Sequence, residues 1–378
     1  MKPNNSRLIE LDGLRGLAAL SVFFSHCVGV IPGYENFALQ HSPIHLFWDG
    51  AAAVMLFFVL SGFVLTLPFI AEPQRRVEPA GFIVKRITRL YPAYWIALGL
   101  ALGLRFLVLK HGHLDSFSSW ANSVWALPIS GDTLLRQFAM IAPSINTHGI
   151  DPVIWSLVIE MKVSLIFPAI IILVQKTSRF IYALIVVAAF VMISPHLRSL
   201  SVLPLFIAGS YLAKYHAPIR VWLWGVSRSA RGLALFAGLL LYGSGSFLGS
   251  HDDWTNFVVG AGAGLLILLF LASSQLSKFA STAPVQFLGK VSYSFYLIHL
   301  PVLLAACSFF QPILHSRPAC LALALAASLA VAKVLYETVE RPLENYGRRI
   351  ASRISRHRRV ARPNLAEACS PTERGAPS

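Results

Sequence analysis

Apolar residues gather in this chain into long uninterrupted stretches rather than alternating with polar ones. Ten such runs can be drawn, at approximately 13–31, 48–70, 91–109, 152–174, 179–194, 200–213, 232–248, 256–273, 291–311 and 319–339. Most approach the roughly 20 residues that an α-helix needs to cross the hydrocarbon core, and those at 179–194 and 200–213 are short. The pattern predicts an all-α, polytopic integral membrane protein, a bundle of about ten transmembrane helices. It contains no strong internal repeat. After about residue 347 it gives way to an Arg-, Ser- and Pro-bearing segment that reads as disordered. The expected organisation is one membrane unit over 1–346 and a basic cytoplasmic tail over 347–378.

Composition strengthens this picture. The chain is 56% hydrophobic and only 13% charged, against about 25% charged in soluble domains. The first run lacks a small-residue cleavage site and reads as a retained helix. A net charge of +15 would suit nucleic acid, but its distribution argues otherwise. Nine of the 32 Lys and Arg residues lie from Arg341 onward, and most others lie between apolar runs. With the N-terminus in the cytoplasm, 24 fall on the cytoplasmic side and 4 (Lys110, Arg136, Arg198, Arg317) on the other. That bias is the footprint of membrane topology and places both termini in the cytoplasm. Nucleic acid is excluded as a partner, and membrane lipids surround the chain. The four cysteines show neither metal-ligand nor redox spacing, so no metal is expected. The longest outer loop, about 110–151, is positioned to cap an external mouth or to meet an acceptor.

Against this apolar background, Arg15 and His26 stand out. Eleven residues separate them on the first run. At about 100° per residue they share nearly one helix face, about 16 Å apart along the axis. Ionisable groups inside membrane helices are costly and mark function by default. An imidazole can take or give a proton at neutral pH. Asp12, three residues before Arg15, can pair with it.

Five further patches carry polar chemistry. Phe57-Phe58-Val59-Leu60-Ser61-Gly62-Phe63 offers a hydroxyl at Ser61 and close helix approach at Gly62. Lys85-Arg86-Ile87-Thr88-Arg89-Leu90-Tyr91-Pro92 sets Arg86 and Arg89 on one face, where two guanidinium forks suit a phosphate. Anchoring to anionic headgroups explains most juxtamembrane arginines equally well. Trp155-Ser156-Leu157-Val158-Ile159-Glu160 places Ser156 and Glu160 on one face, with Lys162 near enough to neutralise Glu160. Ser292, Tyr296 and His299 form one polar stripe of the ninth run. Glu337 and Arg341 are spaced to pair across a turn that Pro342 closes.

Taken in this order over about residues 8–345, these patches resemble the membrane acyltransferase-3 family. The resemblance implies a ten-helix enzyme of the bacterial inner membrane. Such an enzyme takes an acyl group, usually acetyl, from cytoplasmic acetyl-CoA and places it on a hydroxyl at or beyond the membrane. The acceptor is often a surface polysaccharide. By the same resemblance Arg15 and His26 match the family's essential pair, and Arg86 and Arg89 its coenzyme A contact. His26 is then the expected general base, with His299 as competitor. Ser61, Tyr296, Glu160, Glu337 and Arg341 take supporting roles. The chain departs from the family pattern at Met55, where an acidic residue is common, and at Met161, Lys162, Val163 and Ser164. These changes bear on the acceptor. Some relatives carry a fused extracytoplasmic domain, which this length does not accommodate, so transfer finishes here or on a separate partner. A transporter or flippase of a lipid-linked saccharide is the rival reading. Buried Arg, Glu and His residues suit a conduction path too, although paired broken helices and repeat symmetry are missing.

Overall fold

The computed structural model describes residues 8–33, 41–72, 77–111, 117–140, 149–177, 184, 188, 200–250 and 252–360. The helices in chain order are α1 (Ile9–Gly29), α2 (Gly50–Ala71), α3 (Pro79–His111), α4 (Ser119–Val124), α5 (Gly131–Ala139), α6 (Trp155–Lys176) and α7 (Leu203–Gly225). There follow α8 (Arg228–Tyr242), α9 (Ser244–Leu248), α10 (Asp253–Ala272), α11 (Ser274–Ala280), α12 (Ala283–Leu314), α13 (Arg317–Leu335) and α14 (Arg341–Val360). No strand occurs among the described residues. Seven helical spans among them are long and apolar enough to cross a membrane. The helices α7 and α8 fall outside that set: α7 carries Lys214 and Arg220, and α8 has only 15 residues. The apolar run at 179–194 lies almost wholly outside the described residues.

The long helix α12 is the axis of the bundle. It is flanked by α1, α3 and α13, while α2 bridges α1 to α7 and α10. Two glycine seams set these distances. A Cβ on Gly289 would stand 2.4 Å from the Asp12 carbonyl oxygen, and one on Gly16 would stand 2.5 Å from the Gly289 nitrogen. So α1 and α12 touch backbone to backbone. Likewise a Cβ on Gly62 would overlap the Phe206 carbonyl, and one on Gly209 the Val59 carbonyl. Small residues allow such contact in hydrocarbon, where dispersion and polar bonds hold helices together. Ser210 adds a bond across the second seam, donating to Gly62 O at 3.3 Å.

Two sequence expectations need correction and a third is extended. The described outer segment 117–140, expected to cap an external mouth, also runs along a helix. Arg105 Nη2 donates to Leu127 O at 2.7 Å, whereas Tyr91 Oη donates to Ala139 O and Tyr94 Oη to Gln137 O, both at 2.6 Å. Tyr91 and Arg105 are fourteen residues apart on α3, about 21 Å. The segment therefore descends beside α3, its carbonyls satisfied by protein donors as membrane depth requires. Second, Pro342 does not end the last helix. A π-turn over Tyr336–Glu340 precedes it, and α14 continues to Val360. The wider turn relieves the carbonyl that the proline ring would strike and that receives no N–H from it. Third, the chain stays helical for thirteen residues beyond 347, where order was expected to stop.

Candidate active site

Six of the sequence-predicted residues line one small cavity. Arg15 of α1, Ser61 of α2, Arg86 and Arg89 of α3, Glu160 of α6 and Tyr296 of α12 all face it. Its volume is about 70 Å³. The apolar part of the wall comes from Phe57, Phe58 and Val64.

The charges are not evenly free. Arg15 Nη1 pairs with Asp12 Oδ1 at 3.2 Å, both largely shielded. Arg86 is 5% exposed. Its Nε donates to Ser164 Oγ at 2.9 Å, and its Nη2 donates to Glu160 Oε1 in a close ion pair. Ser164 in turn donates to Glu160 O at 2.7 Å, closing the loop. The partner of Glu160 is therefore Arg86, reached across helices, rather than Lys162 on its own helix. Arg89 is less enclosed and faces the carboxylates of Glu344, Glu340 and Glu160.

The acidic residue that α13 and α14 bring inward is Glu340, not Glu337. The π-turn inserts about one residue into the helical phase and rotates Glu340 into the bundle, where it is buried and accepts from Ser294 Oγ at 2.7 Å. Glu337 and Arg341 are exposed, and no ion pair joins them among the described residues. A pattern read at 3.6 residues per turn cannot foresee this shift.

Two imidazoles stand beyond the cavity toward the Gly29 end of α1. Tyr296 marks the boundary: its hydroxyl lies 2.8 Å from Ser156 Oγ, and its ring centroid 5.8 Å from that of His299. His299 is 0% exposed. Its Nδ1 lies 2.8 Å from Tyr296 O, and a carbonyl can only accept, so Nδ1 carries the proton. Nε2 is then a bare acceptor, buried and without a partner. His26 stacks with His299 at 5.3 Å between centroids and 29°, and with Trp120 at 5.4 Å and 7°. His26 itself is half-buried, less enclosed than His299. Trp120 carried no signal in the sequence beyond its place in a long loop. Neither did Ser164, which falls where the chain departs from the family pattern.

Among the described residues no group of His, Cys, Asp or Glu is arranged to hold a metal. The arrangement is thus a cationic cavity joined, through Tyr296, to a stacked imidazole pair about 16 Å along α1 from Arg15. Such a site can bind an anionic carrier at one end and move a proton at the other.

Comparison with known proteins agrees. The sequence profile of the acyltransferase domain of acyltransferase family 3 matches residues 8–337. The exopolysaccharide production protein ExoZ of Rhizobium meliloti is 28% identical over 320 residues, covering 80% of this chain and 92% of its own length. The O-acetyltransferase OatA of Staphylococcus aureus is 26% identical over 343 residues, 79% of this chain and 52% of OatA, so the chain spans about half of that protein. The acyltransferase MdmB of Streptomyces mycarofaciens is 32% identical over 179 residues, 47% of this chain and 42% of its own. No solved structure matches. With its family profile spanning most of the chain and its polar residues gathered within a bundle of apolar helices, the protein belongs to the acyltransferase-3 family and is a membrane-embedded O-acyltransferase.

Proposed function

We propose that the chain transfers an acyl group, acetyl before others, from cytoplasmic acyl-coenzyme A to a hydroxyl of a glycan-type acceptor at or across the bacterial inner membrane, with His26 as general base. The observation that carries this reading is the continuity of α1. One unbroken helix fixes the three-arginine cavity at Arg15 and the imidazole stack at His26, a reach that suits an extended pantetheine arm. In this reading both termini face the cytoplasm, an orientation that the 24-to-4 charge bias supports.

Arg89 and Arg15 hold the phosphates. Arg86, already committed to Glu160 and Ser164, keeps the cationic face in place and adds charge rather than a free fork. The thioester end passes Tyr296 to reach His26. A ring nitrogen of His26 takes the proton of the acceptor hydroxyl as its oxygen attacks the thioester carbon. The tetrahedral oxyanion needs a donor, and the hydroxyls of Tyr296 and Ser61 are the nearest candidates on the cavity wall. The C–S bond then breaks, and the thiolate takes the proton from His26. His26 is preferred to His299 because His299 is fully buried with one nitrogen tied to a carbonyl. The similarity to ExoZ, an exopolysaccharide production protein, and to OatA, an O-acetyltransferase, supports a glycan acceptor and an acetyl donor.

The test uses purified protein in lipid nanodiscs with acetyl-CoA and a cell-envelope saccharide extract. The expected result is thiol release that depends on the extract, with acetyl recovered on saccharide in equal amount. Binding of saccharide without thiol release would favour the transporter.

A further inference from the structure

Trp120 belongs to the outer segment 117–140, on the far side of His26 from the arginine cavity. It sits on α4, a six-residue helix too short to be stable alone. Yet α4 is tied down on every side. Ser118 Oγ donates to Gly29 O at 2.6 Å, and the Ser118 amide donates to Val30 O at 3.1 Å. Both acceptors are at the end of α1, one turn past His26. Beyond α4, Arg105 holds the carbonyls of Trp125 and Leu127, and Trp125 Nε1 donates to Ile150 O at 2.9 Å. Trp125 is itself 2% exposed. The indole of Trp120 is thereby laid flat on His26, nearly parallel to it.

The position is specific. The arginine cavity approaches the imidazole pair from the Arg15 side, while Trp120 covers the opposite, Gly29 side. Its contact is face to face, so it neither donates to the His26 nitrogens nor blocks them. What it does is fix the plane of the ring and close the approach from the α1 end. A transferase of this kind faces a competitor that outnumbers any acceptor, namely water. If water reaches the thioester beside His26, its oxygen attacks the carbonyl carbon and its proton passes to His26. The C–S bond breaks and the thiolate takes that proton, leaving acetate and free coenzyme A. Excluding water from such a site is a recognised part of catalysis.

We infer that Trp120 is a positioning residue that makes the site a transferase rather than a hydrolase, by holding the His26 ring and sealing its outer side against water. This rests on acyl-CoA being the donor and His26 the base. The experiment measures thiol release and acetate formation from acetyl-CoA with no acceptor present, for the nanodisc-embedded wild type, Trp120→Ala, Trp120→Phe and the double variant Trp120→Ala/His26→Ala. Trp120→Ala is expected to release thiol at least fivefold faster than wild type with one acetate per thiol. Trp120→Phe should return toward wild type, because a flat ring refills the stack. Trp120→Leu takes the place of Trp120→Ala if the latter does not survive purification. A release rate at or below wild type in a folded, acetyl-CoA-binding Trp120→Ala or Trp120→Leu protein overturns the inference. A raised rate that persists in the double variant keeps the seal but removes His26 as the base, so the two readings fail separately.

Discussion

Arg86 and Glu160 form the most consequential pair of side chains after the imidazoles, because each neutralises a charge the other would leave stranded. Truncating one partner of a buried pair commonly costs about 3–5 kcal/mol. Arg86→Ala should therefore lower the thermal midpoint in detergent sharply, and adding Glu160→Ala should recover part of the loss. Equal and additive losses in the two single variants would show that the pair is not coupled. Arg89→Ala removes a guanidinium that makes no direct hydrogen bond among the described residues and acts on its carboxylates through charge alone. It should weaken acetyl-CoA binding tenfold or more by calorimetry while lowering the midpoint less than Arg86→Ala does; unchanged binding would remove Arg89 from the donor site. These roles differ although the sequence presents the two arginines alike. Spacing places side chains on a face, but only the packing of α6 against α3 decides which one is locked in a direct ion pair.

Helices in this molecule meet at points where a methyl group does not fit. Gly289→Ala would press a Cβ into the Asp12 carbonyl and push α1 from α12, carrying His26 off His299. Overpacking of this kind costs about 1–3 kcal/mol, and turnover should fall further than stability because the imidazole stack depends on the seam. A variant with full activity would show the seam to be dispensable. At the head of α2, Asp49 accepts from the Ala52 amide at 2.8 Å and from Ser246 Oγ at 2.6 Å. Burial alone would push its carboxyl up, but His45, Ser246 and Ala52 together hold it below the usual carboxylate range. Its stabilisation is thus present above about pH 4. It is lost as pH falls through the lowered native value. Asp49→Ala should cost about 1–2 kcal/mol at neutral pH, and the gap to wild type should narrow in acid; a gap that widens in acid would contradict the assignment. The apolar runs revealed α1, α2, α3, α6, α10, α12 and α13 because helices in hydrocarbon announce themselves by length alone. The descent of 117–140 along α3 and the π-turn before α14 were invisible. They arise from side chain to carbonyl bonds across the fold and from a one-residue phase shift, neither of which leaves a periodic trace.

For the whole molecule, the division of charge and the placement of the site have to agree. The proposed coenzyme site opens at the end of α1 nearest Arg15, the same side as Lys85, Arg86 and the basic α14, which the proposal puts in the cytoplasm. A cysteine introduced by Arg349→Cys should therefore resist an impermeant thiol reagent in intact cells and react after lysis. Labelling from outside would invert the topology and with it the direction of transfer. The central claim is narrower still: a single imidazole, that of His26, stacked with both Trp120 and His299, moves the proton. The measurement that reaches it most directly is acceptor-dependent thiol release from acetyl-CoA by wild type and His26→Ala side by side, with acetyl-CoA affinity measured on both. General-base catalysis contributes about 10²–10⁴ in rate, so His26→Ala should bind acetyl-CoA as wild type does and lose at least a hundredfold in release. Release at the wild-type rate in that variant would contradict the account and return the role of base to His299.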